Sequence, residues 1–450
     1  MLDVMNRLAH GYVASPVLLA CEVHGLFAAL EADDGRSQHE LAVALRANPG
    51  HLQVALRTLE TLGWVRRDGD RFGLGQGSAD RRRLPRDLGA LYAADRPALA
   101  GPDAAELRPW LARALRDWDV ATASTAQLLD GALLMPLLLE LQACDDQLAL
   151  IDRLDPESRA DLIALLTARG WLERADAPAW TSAGAALLDR IYGCATVASY
   201  RPMLNQMDAL IFGDCDAVFQ RRADGSEGHV DRILNVLGSG FQHKRYFDEA
   251  CSAIREAFAY EPLDAQPRYI MDIGCGDGAL LKAAYETVLA GTSRGQALDR
   301  FPLTLIAVDL NAQALAETAR TLDGLPHILV AGDIDEPAEI LHKLREQGVE
   351  DPDAILHVRS FLDHDRPFRG PDREVQPVGA SRAVSVAADG GLIPPDDAMQ
   401  SLAELFERWA AVIGRHGLVA LEVHALDPDV AGRFSAEAES IHFDAYHGFS

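Results

Sequence analysis

Positive charge is scarce in this chain. Against 68 Asp and Glu stand 42 Lys and Arg, a formal net charge of −26 over 450 residues. An extended nucleic-acid surface needs clustered basic side chains to displace counterions, so no nucleic-acid partner is expected. The balance suits a small-molecule substrate, or a partner docked through a local basic patch. Cysteine is thin as well: Cys21, Cys144, Cys194, Cys215, Cys251 and Cys275 are scattered, with no CxxC pair and no zinc spacing. Reduced thiols in a cytoplasmic protein are the simplest expectation. The N-terminus lacks a basic segment followed by an apolar run, so no signal peptide is predicted. No stretch reads as apolar for long enough to span a membrane. What remains, at 48% hydrophobic and 24% charged residues, is the composition of a globular protein of two or three domains.

Residues 1–90 read as a winged-helix-like helical domain. Gln38 to Ala42 opens a helix, and Asn48-Pro49-Gly50 breaks it. Leu52, Ala55, Leu56, Leu59 and Leu62 recur at helical spacing, and Gly63 is a left-handed cap. Trp64 to Arg67, the turn Asp68-Gly69-Asp70, and Arg71 to Leu74 predict a two-stranded wing. The pattern recurs within residues 91–200: a helix over Asp161 to Arg169, then Gly170-Trp171-Leu172, then Ala179-Trp180-Thr181. Gly63-Trp64 and Gly170-Trp171 hold equivalent places, so two winged-helix units in tandem are predicted. Between them, Arg81, Arg82, Arg83 and Arg86 form either a solvated connector or a docking patch for an acidic partner. The presumed recognition helix, His51 to Leu62, carries only Arg57 as a basic residue, which argues against DNA binding. Residues 201–262 are expected to form a helical lid or connector, interrupted at Gly238-Ser239-Gly240. Its polar residues His229, Asp231, Asn235, Gln242 and His243 are candidate substrate ligands.

Residues 263–450 read as a doubly wound, mostly parallel α/β core of Rossmann-like type. A strand over Tyr269 to Ile273 runs into Gly274-Cys275-Gly276-Asp277-Gly278 and then a helix. Glycines there let the backbone approach a ligand, and the helix N-terminus offers free N–H groups. Asp272 is placed to hold the amino group of a methionine moiety. A second strand ends at Asp309, followed by Leu310, where a carboxylate fits two ribose hydroxyls. A third, Ile328 to Ala331, leads to Gly332-Asp333-Ile334, where Asp333 can accept from an adenine amino group. The fourth strand is read as Ala354 to Val358, leading into Arg359-Ser360-Phe361, and the fifth as Leu418 to Val423, ending at His424. A helix from Pro428 to Ser440 and a short tail leave too little chain to complete the sheet. The expectation is a piece of a longer polypeptide.

The glycine turn with Asp272, then Asp309, then Gly332-Asp333 resembles the class I S-adenosylmethionine-dependent methyltransferases. The segments 227–232, 235–243, 357–367 and 444–450 resemble methyltransferase domains embedded in polyketide synthases, closest to the starter-unit C-methyltransferases. That resemblance implies S-adenosylmethionine as cofactor, bound by Asp272, Gly274, Cys275, Gly276, Gly278, Asp309, Leu310, Gly332, Asp333, Ile334 and Arg359. It implies methyl transfer to the α-carbon of a malonyl-type acyl substrate on an acyl carrier protein, beside neighbouring polyketide synthase domains. Carbon needs an enolate before it attacks. A histidine base or a divalent metal would serve, and iron(II) or manganese(II) is implied for some of the group. His424, His357 and Arg359 are the catalytic candidates, and His424 and His447 the metal ligands. Asp363 and His364 lie just beyond strand four. The alternatives are an O- or N-methyltransferase of a free natural product and a non-catalytic cofactor-binding or docking module.

Overall fold

The computed structural model describes residues 2–32, 35–93, 99, 104–173, 178–222, 227–363, 366, 368–377, 384–422, 430, 433 and 446. The chain divides into two compact units. One comprises residues 1–239, 382–393 and 426–447; the other comprises 240–381, 394–425 and 448–450.

The first unit is mainly helical. Ser37 caps the helix Gln38–Leu45 through a reciprocal pair with Glu40: Glu40 N donates to the hydroxyl, and Ser37 N donates to the carboxylate. Pro49 does not merely break that helix. It opens the next, Pro49–Thr61, because proline lacks only an N–H that a first helical position leaves unpaired. The wing pairs Val65–Asp68 with Arg71–Leu74, and Arg36–Ser37 adds a third short strand. Pro156–Ala168, Leu172–Glu173 and Ala179–Trp180 repeat the plan with a shorter wing. The equivalence reaches individual bonds. Gly63 and Gly170 have φ of 72° and 75°, and Trp64 N and Trp171 N donate to Leu59 O and Leu166 O at 2.8 and 2.9 Å. Helix Arg232–Glu256 runs without a break through 238–240. Gly238 permits close packing there: a Cβ at that position would lie 2.5 Å from Thr196 N.

One described helix, Ala123–Gln142, is long and apolar enough to cross a membrane, contrary to the reading of the sequence, and 78% of its apolar window is buried. The bent pair Asp3–Val23 with Leu26–Ala32 passes the same test only if taken as one span. All six cysteines are unpaired.

The second unit holds a five-stranded sheet: β1 (Tyr269–Ile273), β2 (Thr304–Asp309), β3 (His327–Ala331), β4 (Ile355–Ser360) and β5 (Leu418–Leu421). Its order is β5-β4-β1-β2-β3, with every pair parallel. The order reverses beside β1, and in such sheets ligands bind beyond the carboxyl ends of the strands at that point. Helices α1 (Ala279–Gly291), α2 (Ala312–Thr321), α3 (Pro337–Glu346) and α4 (Pro395–Ala410) accompany the strands. Alternation along each strand separates two cores. Ile270, Leu305, Leu356 and Val358 pack with Leu281 and Val288 of α1. Met271, Ile306, Val308 and Ile355 pack with Leu344 of α3 and Leu405 and Trp409 of α4.

Two boundaries differ from the sequence reading. β4 continues through Arg359 and Ser360, so His357 sits in mid-strand and not at its end. β5 stops at Leu421, and His424 lies outside the described residues, as do His364, His447 and most of the predicted final helix.

Candidate cofactor site

The loop after β1 is tied down by backbone bonds before any side chain acts. Gly274 N and Cys275 N both donate to Val308 O, at 2.8 and 3.1 Å, and Gly278 N donates to Cys275 O at 2.9 Å. Gly274, Gly276 and Gly278 have φ of 74°, 56° and 76°, the left-handed region that disfavours side chains. Space is short as well. A Cβ at Gly278 would lie 2.9 Å from Thr318 Cγ2. Thr318, on α2, donates its hydroxyl to Gly276 O at 2.9 Å and is the residue that pins the turn. Nothing in the local sequence pattern marks it.

Asp272 and Asp309 stand at the carboxyl ends of adjacent strands. Asp309 is half-buried; its Oδ2 accepts from Gly276 N at 3.2 Å and its Oδ1 from Asn311 N at 2.8 Å. Asp272 is 1% exposed, and its Oδ1 has no hydrogen-bond partner. Burial pushes its carboxyl up to about 8, and the charges of Asp309 and Asp277 add to the rise. A buried acid with an unmet acceptor is costly to the empty protein. A ligand cation beside it would relieve that cost.

Beyond β2, Leu310 is 66% exposed, unusual for a large apolar side chain. After β3, Gly332 N donates to Asp309 O at 3.1 Å, and a Cβ at Gly332 would lie 2.7 Å from Ile340 Cγ1. Asp333 is half-buried and turns one oxygen onto Asp335 N at 2.9 Å. Ile334 is buried, and its carbonyl accepts from Trp409 Nε1 at 2.8 Å. Cys275 is buried too, with Sγ 3.4 Å from Thr318 Oγ1; burial drives its thiol far above the usual range.

The other candidates separate. His357 is fully buried at the level of Met271, its ring edge-on to Trp409 at 5.9 Å. Burial, and then the charge of Arg359, lower it to about 4, so it is neutral at working pH. Both ring nitrogens are buried without a hydrogen-bond partner, and the ring sits one residue deeper in the sheet than Val358 and packs on Trp409. Arg359, two residues on, is also buried and reaches the level of Ile273 at the strand end. Of the residues expected on a lid, three fall in the first compact unit and have partners there. His229 packs edge-on to Phe219 at 5.1 Å. Asp231 Oδ1 accepts from Leu234 N at 3.1 Å, the geometry of a helix cap. Asn235 donates to Ser199 Oγ at 3.1 Å and accepts from Arg232 at 3.0 Å. The side chains of Gln242 and His243 are outside the described residues. Among the described residues no group of three or more His, Cys, Asp and Glu is gathered around a metal position. A hollow of about 400 Å³ is lined by Arg255, Phe258, Tyr260 and Gly291, the last residue of α1. It holds none of the strand-end acids.

A parallel β5-β4-β1-β2-β3 sheet with a glycine turn after β1 and acids ending β1 and β2 defines a Rossmann-like methyltransferase core. Residues 227–450 match the family model described as the AprA MT2-like domain. Residues 1–67 match the AprA N-terminal domain, and 130–214 the AprA winged helix domain. The chain is an S-adenosylmethionine-dependent methyltransferase, with three regions each similar to a domain described for AprA. Comparison with curated proteins returns no match. Among solved structures the chain is similar to an O-methyltransferase family protein from Burkholderia thailandensis: 14% identity, 97% of this chain and 84% of that one, TM-score 0.28. It is similar also to the DszA carbon methyltransferase: 12% identity, 94% and 73% covered, TM-score 0.33. CalO1, a methyltransferase in calicheamicin biosynthesis, aligns at 18% identity, with 98% and 85% covered and a TM-score of 0.25. Likenesses this distant carry no argument about substrate.

Proposed function

We propose that this chain methylates the α-carbon of a malonyl-type acyl group carried on an acyl carrier protein, as part of a polyketide synthase. The resemblance of the segments 227–243 and 357–367 to methyltransferase domains of polyketide synthases supports that setting, and the match of residues 227–450 to the AprA MT2-like domain supports the methyl transfer itself. The observation that carries the cofactor half is Asp272, buried with Oδ1 unmet at the end of β1. When bound, S-adenosylmethionine supplies an electrophilic methyl group. Asp272 would hold its ammonium, Asp309 its ribose hydroxyls and Asp333 its adenine amino group, with Leu310 beside the base. Gly274, Gly276 and Gly278 keep the turn open to the ligand, and Cys275, Gly332 and Ile334 shape its walls. His229, Asp231, Asn235, Gln242 and His243 remain the candidates for holding the acyl group. His424 and His447, the histidines that the resemblance assigns to a metal, are not among the described residues.

Intact-protein mass spectrometry tests this reading. Malonyl-carrier protein is incubated with the chain and S-adenosylmethionine, with and without iron(II) or manganese(II) after chelation. A gain of about 14 Da, one methyl group, is expected. No gain under any condition, with cofactor binding retained, would sink the carrier-protein reading and turn attention to a free small-molecule acceptor.

A further inference from the structure

Burying a guanidinium is costly unless its donors are met. Arg294 shows the ordinary solution. It is 1% exposed, and its Nη1 and Nη2 donate to the carbonyls of Leu263 and Pro302 at 2.6 and 2.9 Å. Arg359, equally buried, is different. Its Nε lies 3.0 Å from Asp363 Oδ1, and its guanidinium lies over the rings of Phe406 at 5.0 Å and Trp409 at 5.9 Å. The Asp363 contact is an ion pair without hydrogen-bond geometry, and none of Nε, Nη1 and Nη2 has a hydrogen-bond partner. The plane is held on three sides and the two-pronged edge is left unmet. Nearby groups are engaged elsewhere. Arg366 Nη2 donates to Ser401 Oγ at 2.8 Å, Arg408 pairs with Asp335 at 2.8 Å, and Glu422 Oε2 accepts from Asp363 N at 2.7 Å.

The unmet base has an unmet acid beside it in the sheet. β1 and β4 are neighbours, with Asp272 opposite Val358 and Ile273 opposite Arg359. Residues opposite one another share a face, and successive residues alternate. Asp272 and Arg359 therefore leave the sheet on opposite faces and cannot satisfy each other, although they stand one residue apart in register. Burial holds Arg359 below its ordinary value, with Asp363 and then Glu422 opposing the fall.

We propose that Arg359 anchors a carboxylate-binding subsite at the end of β4, with Asp363, Phe406 and Trp409 fixing the plane of its fork. A guanidinium edge with two parallel N–H donors matches a carboxylate. Two carboxylates can fill it, that of the cofactor's methionine end or a free carboxylate on the acyl acceptor. The inference rests on the methyltransferase reading and specifies, for a residue the resemblance already placed near the cofactor, the chemical group it takes.

Calorimetry of S-adenosylmethionine and its decarboxylated analogue, on wild type, Arg359→Gln and Arg359→Lys, tests the subsite. The same proteins are assayed on malonyl- and acetyl-carrier protein. If the cofactor fills the subsite, Arg359→Gln weakens S-adenosylmethionine about 10- to 100-fold and leaves the decarboxylated analogue unchanged. If the acceptor fills it, both cofactors bind as before, and kcat/KM falls by that factor for the malonyl acceptor alone. Arg359→Lys keeps the charge but not the fork, and should show the same selectivity with a smaller loss. Parallel changes with both cofactors and both acceptors, or no change with any, would overturn the subsite while leaving the methyltransferase reading intact. Wild-type protein that binds neither cofactor would overturn both.

Discussion

Two buried acids, Asp80 in the first compact unit and Asp272 in the second, are treated in opposite ways. Asp80 is fully buried, yet Ala121 N, Thr122 N and Thr122 Oγ1 donate to it at 2.6 to 2.9 Å. Burial alone would raise its pKa; those hydrogen bonds outweigh burial and hold it below the usual range. Asp130 in the same unit accepts from Trp118 Nε1 at 2.9 Å and pairs with Arg169 at 2.6 Å. In the second unit, Asp272 is as buried as Asp80 but raised to about 8, with one oxygen unmet. An acid whose partners come with the fold serves the fold. An acid left without one keeps an unmet acceptor, which a ligand cation can meet.

That contrast can be broken by mutation. Asp272→Asn should weaken S-adenosylmethionine binding most, by about 100-fold, because a charge-assisted bond to the ligand cation is lost. It should also flatten a pH dependence. The folded carboxyl holds its proton up to about pH 8, so wild-type affinity should fall about tenfold from pH 7 to pH 6, and the Asn variant should show no such fall. Without ligand the sign reverses. The unfolded chain releases that proton near pH 4, so wild-type stability should decline as pH rises from 4 towards 8, and Asn should remove the decline. Calorimetry and thermal melts across that range check both.

Asp130→Ala should do the opposite to Asp272→Asn. It leaves the Arg169 guanidinium and Trp118 N–H short of a partner, and should cost about 2–4 kcal/mol in denaturant unfolding. Cofactor affinity of the folded fraction should not change. An Asp130→Ala variant that loses cofactor affinity without losing stability would erase the distinction drawn between the two acids.

The smallest effect concerns His357. It is lowered to about 4 by burial, so the unfolded chain takes up its proton first as pH falls. Stability from this group is present above pH 6.5 and is lost between 6.5 and 4. His357→Leu should therefore spare about 1 kcal/mol of the stability otherwise lost between pH 6.5 and 5.5. Methyl transfer at pH 8 should persist, since the ring is buried against Trp409. Loss of turnover with cofactor binding intact would return His357 to the chemistry.

Much of the fold was legible. Gly63-Trp64 and Gly170-Trp171 announced two matching helix ends, because a left-handed cap is a property of a few consecutive residues. The glycine turn with Asp272, and the acids after β2 and β3, were legible for the same reason. The end of β4 was not. Arg359 and Ser360 look like the polar start of a loop, yet they complete a buried strand. Arg359 is buried against Phe406 and Trp409 of α4, some fifty residues away, and no local pattern encodes that packing.

By itself, the sequence determined what short-range forces decide: where the strands alternate with helices, where glycine permits a turn, and which acids follow the strands. Only the tertiary structure decided which of the buried charges would be met. Asp80 finds its donors at Ala121 and Thr122, whereas Asp272 and Arg359 are turned to opposite faces of one sheet and find none for Oδ1 or for the guanidinium fork. The reason is that backbone propensity acts over a few bonds, while satisfying a buried charge requires groups brought together by the fold.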